Sequence, residues 1–242
     1  MKRISIIVIC SVIAVTALIC TITHFKSGQE VFIKNQNDTS QTDSTACSNI
    51  ETTIDKTDWK LILVNADNKL PNEYSISMAT LENGLLADSR CYPDLQKMLD
   101  DCRSEGLNPI VCSAYRSQEK QEILFKNQIE KQKSTGLSDQ EAETEAKKLV
   151  AVPGTSEHQT GLAFDIIDAD YQLLDEEQEK TKVQQWLLKN SWKYGFILRY
   201  PPDKSDITKI SYEPWHYRYV GKENAKIIYD KALCLEEYLY LH

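Results

Sequence analysis

The chain has 242 residues, with 28 Lys and Arg against 36 Asp and Glu, for a formal net charge of -8. That balance excludes nucleic acid as the main partner, because phosphate binding needs a basic face; it leaves the substrate open. The length allows one good-sized domain with additional segments, and a domain of about 150–200 residues buries enough surface to fold without metals or disulfides, so a metal here would serve chemistry.

Met1-Lys2-Arg3 precedes a charge-free run from Ile4 to Thr23. At about 1.5 Å per residue the run is long enough for a hydrocarbon core of about 30 Å. Lys2 and Arg3 predict a cytoplasmic N-terminus and an external remainder. A cleaved signal peptide would have a shorter apolar core and a small-x-small site, and an acylated Cys20 would follow a residue smaller than Ile19. Residues 1–25 are therefore expected to be a cytoplasmic start and single-pass transmembrane anchor. Residues 26–56 include the polar run Asn35 to Thr45, which lacks the apolar surface to offset ordering, and are expected to be a flexible stalk. The folded domain is expected at 57–242.

Within that domain, Leu61–Val64 predicts a short buried strand. Leu95, Met98, Leu99 and Cys102 have helical spacing within Asp88–Glu105, with Gly106 as the stop. Pro109–Ala114 predicts a strand, and Ser117 an N-cap for a helix containing Ile123, Leu124 and Ile129. Ser138 opens a helix with a solvated charged face. Leu162–Ile167 predicts a strand, Glu176–Tyr194 an amphipathic helix ending at Gly195, Phe196–Leu198 and Tyr217–Val220 two further strands, and Lys222–Tyr240 a closing helix. Strands that do not alternate regularly with helices predict α+β, with a small antiparallel sheet and flanking helices. Seven cysteines are present, two of them in the apolar run. The other five include no C-x-x-C pair and are expected to be buried free thiols rather than one disulfide with a leftover.

Four histidines exist; His24 and His242 lie at the membrane edge and the chain end. His158 and His216 each sit among acids, beside a Gly or Pro turn and a short strand. In Ser156–Asp165, Gly161 permits a close approach or unusual backbone angle, and Ala163 and Asp165 share a strand face. In Glu213-Pro214-Trp215-His216, Pro214 enforces an extended approach. Two imidazoles and a carboxylate make a three-ligand zinc site with a position for water, and a neighbouring Glu213 suits proton transfer. Glu157 is an alternative ligand or base. Asp168 and Asp170 read as loop acids, and the segment Pro201–Asp206 as a rim loop or a stiff surface connection. Spacing alone leaves satisfied surface or core histidines as the alternative.

Ser156–Asp165 fits S-x-H-x-x-G-x-A-x-D and Glu213–His216 fits E-x-W-H. Together they resemble the signature of the VanY-type D-Ala-D-Ala carboxypeptidases, in the wider group with lysostaphin-like and hedgehog-type zinc domains. Ser113-Ala114-Tyr115-Arg116-Ser117 with Gln121 resembles that family's substrate-binding segment, and Asn65, Leu70-Pro71 and Tyr74 also match. The resemblance spans Trp59 to Tyr219. It implies Zn2+ held by His158, Asp165 and His216, Glu213 as general base and acid, and Arg116 directed at the scissile carbonyl or terminal carboxylate. Tyr115, Ser117, Gln121 and Ser156 would orient the peptide, and Trp215 would pack behind His216.

The activity implied is removal of the C-terminal D-alanine from peptidoglycan stem peptides at the cell-wall side of the membrane, with a role in vancomycin-type resistance or in wall trimming. The membrane is engaged through the N-terminal helix, and no protein partner is predicted. The nearest rival is an LD-carboxypeptidase acting on tetrapeptide stems. A wall endopeptidase, a non-catalytic zinc-containing wall-binding module and a serine penicillin-binding enzyme are the others; the last lacks an S-x-x-K motif at Ser113.

Overall fold

The computed structural model describes residues 55–240. The expected anchor, and all but the last two residues of the expected stalk, lie outside them. So do Cys47, His24 and His242. Among the described residues no helix is long and apolar enough to cross a membrane.

The described residues form two antiparallel sheets, with helices packed around them. Strands β1 (Met78–Thr80) and β2 (Leu86–Asp88) form a hairpin. Strands β3 (Pro109–Ser113), β4 (Ala163–Asp168), β5 (Phe196–Leu198) and β6 (His216–Tyr219) form the main sheet in the order β3-β4-β6-β5, with every neighbour antiparallel. The α+β architecture is as expected, and the hairpin is an addition.

Helix α1 (Tyr92–Ser104) buries Leu95, Met98, Leu99 and Cys102, the face its spacing defines. Gly106 follows with φ 79°. Helix α2 (Gln118–Lys133) starts at Ser117, whose hydroxyl accepts a bond from the Lys120 N–H. Helix α3 (Asp139–Leu149) starts with a capping box between Ser138 and Glu141, and its buried Ala142 and Ala146 allow it to lie close along α2.

Three expected elements differ. Leu61–Val64 is not a strand: Trp59–Leu61 is a 3-10 turn capped by Asp58, and the chain then turns back at Asn65, which bridges to Asn68. The segment Glu176–Tyr194 is broken. A 3-10 turn (Glu176–Lys180) precedes α4 (Lys182–Asn190), because Thr181 adopts an extended conformation and caps α4 with its hydroxyl. A second 3-10 turn then ends at Gly195, φ 88°. The closing helix divides into α6 (Lys222–Asp230) and α7 (Leu235–Tyr240), with Ala232 between them at φ 51°, which helix cannot accommodate. A four-residue helix, α5 (Ser205–Thr208), lies in the connection between β5 and β6.

The two faces of the main sheet have separate fates, because side chains alternate along a strand. Phe164, Ile166, Phe196, Tyr217 and Tyr219 belong to the core that Leu95, Met98, Val183 and Leu187 of α1 and α4 complete. The opposite face carries Asp165 and His216, opposite one another, and Ala163 opposite Arg218. Farther along it, Ile197 joins Val220, Ile228, Leu235 and Leu239 of the α6–α7 region. Cys91, Cys102 and Cys234 are buried free thiols, as expected, whereas Cys112 is free and exposed.

Candidate metal centre

Asp165 and His216 come from the two inner strands. As directly opposed residues they project from one face of the sheet. His158 arrives from a 3-10 turn, Glu157–Thr160, that ends at Gly161 with φ 73°. A Cβ on Gly161 would lie 2.8 Å from Ile76 Cδ1 and 2.9 Å from the Asp88 nitrogen, whose N–H donates to the Gly161 carbonyl. Both the close approach and the backbone angle thus require glycine. The turn delivers His158 onto the sheet face, where its ring meets that of His216 edge-on with centroids 4.9 Å apart.

One potential ligand atom from each of His158, Asp165 and His216 lies within 4.8 Å of the other two, and all three residues are buried. His158 Nδ1 donates to the Ala114 carbonyl at 2.8 Å, since a carbonyl can only accept. Its Nε2 therefore carries the lone pair, 3.3 Å from Asp165 Oδ2. His216 Nδ1 lies 3.2 Å from Asp165 Oδ1 and 3.4 Å from Glu213 Oε2. His158 Nε2 and Asp165 Oδ1 are buried without a hydrogen-bond partner. Buried polar atoms are normally paired, and a divalent cation would satisfy both.

Burial, reinforced by the Arg116 charge, pushes His158 down to about 4, so its ring is neutral near pH 7. Burial opposes ionisation of Asp165, yet the two histidines hold it well below the carboxylate range. Burial also disfavours charge on His216, but Asp165, Glu157 and Glu213 raise it well above the imidazole range. Three carboxylates thus draw positive charge to this spot, and a bound cation would supply it. Burial raises Glu213 above its ordinary value; its side chain is 15% exposed, which leaves it reachable from solvent.

Arg116 Nη2 contacts Asp165 Oδ2 at 3.1 Å, Nε donates to Ser113 Oγ at 3.1 Å and Nη1 to Gln121 Oε1 at 3.2 Å. The Gln121 amide also donates to the Ala151 carbonyl, so both its ends are engaged and it orients Arg116. The Ser117 hydroxyl is spent on capping α2. Tyr115 is half-buried and pinned through its backbone to Leu86 in β2. Ser156 is buried just before the histidine turn, and its hydroxyl does not cap that turn.

Some placements depart from expectation. Trp215 is only half-buried, and the ring backing His216 is Tyr200, with centroids 4.7 Å apart. Glu157 is not one of the three grouped ligands: its Oε1 accepts from Arg199 Nε at 2.8 Å and Arg218 Nη1 at 2.6 Å, and its Oε2 lies behind His216, 3.7 Å from Nε2. Asp168 ends β4, buried, and accepts from the Asp170 and Val183 N–H groups; Asp170 is exposed. Only residues distant in sequence complete the Tyr200 and Arg199–Glu157–Arg218 contacts, so local spacing carried no signal for them.

This arrangement belongs to the class of metallopeptidases with a single three-ligand centre. Residues 85–222 match the family model described as VanY, D-alanyl-D-alanine carboxypeptidase, and the chain belongs to that family. It is 48% identical over 185 residues to the D-alanyl-D-alanine carboxypeptidase of Enterococcus faecalis (strain ATCC 700802 / V583), covering 76% of this chain and 67% of that one. Among solved structures, VanYB in complex with D-alanine-D-alanine is 47% identical with a TM-score of 0.70, over 76% of this chain and 99% of that one. A glutamate-to-alanine variant of the vancomycin-resistance D,D-pentapeptidase VanY, in complex with Zn(II), is 48% identical with a TM-score of 0.69, over 75% and 99%.

Proposed function

We propose that this chain is a zinc-dependent D-alanyl-D-alanine carboxypeptidase that removes the C-terminal D-alanine from peptidoglycan stem peptides. The observation that carries the reading is the buried His158–Asp165–His216 group with two partnerless atoms turned inward and Glu213 at its edge. His158 through Nε2, Asp165 through its carboxylate and His216 through Nδ1 would hold the ion. When bound, zinc supplies Lewis acidity and makes water acidic enough to react near neutral pH.

Glu213 then acts as the proton carrier. Its carboxylate takes a proton from the attacking water and delivers it to the nitrogen of the departing D-alanine. Its position beside His216 and its partial exposure suit both transfers. Arg116 presents a fixed guanidinium to substrate oxygen, either the scissile carbonyl as charge develops or the terminal carboxylate. Gln121 and Ser113 fix its plane. Tyr115 and Ser117 flank Arg116 in sequence, and with Ser156, next to the histidine turn, they would orient the peptide.

The charge-free run at residues 4–23, preceded by Lys2 and Arg3, supports an uncleaved anchor with the catalytic domain on the cell-wall side. A resistance role follows from the chemistry, since removing the terminal residue deletes a D-Ala-D-Ala target.

The full chain, incubated with a synthetic pentapeptide ending in D-Ala-D-Ala and with the tetrapeptide lacking the last residue, tests the reading by mass spectrometry. Loss of one D-alanine from the pentapeptide, abolished by a chelator and insensitive to penicillin, is the expected result. Cleavage of the tetrapeptide alone would reassign the protein as an LD-carboxypeptidase, and no cleavage of either would overturn the enzymatic reading.

A further inference from the structure

Among the described residues, four buried side-chain atoms have no hydrogen-bond partner: Glu157 Oε2, His158 Nε2, Asp165 Oδ1 and His216 Nε2. The metal reading accounts for the middle two. The outer pair face each other, Glu157 Oε2 standing 3.7 Å from His216 Nε2. One is an acceptor and the other, in the right tautomer, a donor. The separation is a few tenths of an ångström beyond a hydrogen bond.

We propose that Glu157 is a positioning residue for His216, its Oε2 accepting the Nε2–H so that Nδ1 is kept as a lone pair turned to the metal. The inference rests on the zinc reading above. An imidazole that gives one nitrogen to a cation must carry its proton on the other, and the acceptor of that proton fixes ring and tautomer together. His158 has such an acceptor in the Ala114 carbonyl. The corresponding acceptor for His216 is a carboxylate, so the two rings are held in opposite tautomers.

Glu157 is itself held in place. Arg199 and Arg218 share its Oε1, which leaves Oε2 alone directed at His216. Arg199 is fixed in turn by two bonds to Glu236, at 2.8 and 2.7 Å. Arg218 donates to the Lys60 and Ile62 carbonyls at 3.0 and 2.8 Å. Two guanidiniums face two carboxylates, all buried, so the network is balanced in charge and carries no surplus to attract a second cation. Removing the carboxylate would leave the arginines and the imidazole unmatched.

The test uses the full chain loaded with zinc. Long-range ¹H–¹⁵N correlation on ¹⁵N-histidine protein is expected to show His216 protonated at Nε2, with a slowly exchanging, downfield proton, and His158 protonated at Nδ1. Glu157→Gln should move the His216 proton signal and weaken zinc binding about 10–100-fold in chelator competition. Glu236→Gln, which loosens Arg199 without touching Glu157, should change zinc affinity by less than about threefold.

A His216 ring protonated at Nδ1 in the wild-type protein would overturn the proposal, and so would equal zinc affinity in Glu157→Gln and wild type, or equal weakening in both variants. If Glu157→Gln does not fold, the wild-type spectrum decides. Wild-type protein that takes up no zinc would overturn the metal reading itself, whereas wild-type zinc binding and turnover with an unaffected Glu157→Gln would sink the Glu157 assignment alone.

Discussion

Asp165 and His216 are cross-strand partners in β4 and β6, with Oδ1 and Nδ1 3.2 Å apart. Two of the three candidate ligands are thus set by strand register, and a slip of one residue would send both to the opposite face. His216→Ala should lower zinc affinity by more than about 100-fold, beyond the range of an outer partner. Zinc retained after dialysis against a chelator measures it, and retention at the wild-type level would remove His216 from the ligand set.

Glu213 touches the cluster through His216 but belongs to no mutual group of three ligand atoms. Glu213→Gln should keep its zinc and lower kcat about 10²- to 10⁴-fold. Steady-state kinetics beside metal analysis separates the two roles; full turnover would refute the proton carrier, and lost zinc would make Glu213 a ligand.

Arg116 uses all three of its nitrogens on Ser113, Gln121 and Asp165. Lysine offers the charge without the planar fork. Arg116→Lys is expected to bind zinc normally and lose about 10²-fold in kcat/KM through misplacement. An unchanged kcat/KM would show that charge alone suffices.

Gly161 combines φ 73° with neighbours that would lie within 3 Å of a Cβ. Gly161→Ala should destabilise the fold by about 1–3 kcal/mol, read as a lower denaturant midpoint with an unchanged slope. Wild-type stability would mean that Ile76 and the Asp88 backbone yield more easily than their packing implies.

Cys112 is exposed, yet burial of its sulfur and the nearby Asp165 charge push the thiol up to about 12. Thiolate is the reactive form, so raising the pH should accelerate alkylation of metal-free protein about tenfold per unit from pH 7 to 10. A plateau near pH 9, the behaviour of an ordinary thiol, would contradict this environment.

The legible parts of the fold were those governed by local rules. Ser117 and Ser138 cap helices because a hydroxyl at that position meets unpaired N–H groups a turn later, and β4 showed as an apolar run because both its faces are covered. His158, Asp165 and His216 were legible through their motifs, and the structure brings them together. What was illegible depended on conformation or distance. Ala232 breaks an apparently continuous helix through a positive φ that composition does not encode, and the Thr181 cap was masked because the amphipathic pattern runs on across it. The short β1–β2 hairpin carries too few residues for a periodic signal. Tyr200 meets His216 only when the chain after β5 lies beside β6, and the arginines at 199 and 218 find Glu157, Glu236 and the Lys60 and Ile62 carbonyls only when those distant segments pack together.

The strand order β3-β4-β6-β5 has an engineering consequence. Both strands bearing Asp165 and His216 are bonded on each side, so the catalyst's backbone has no free margin. The margins run outward into other segments: β3 into Tyr115, Arg116 and the start of α2, and β5 beyond Tyr200 into the Pro201–Asp206 connection. Recombining those outer pieces between homologous proteins would therefore keep the Asp165–His216 register while changing the Arg116 and Tyr200 contacts that brace it.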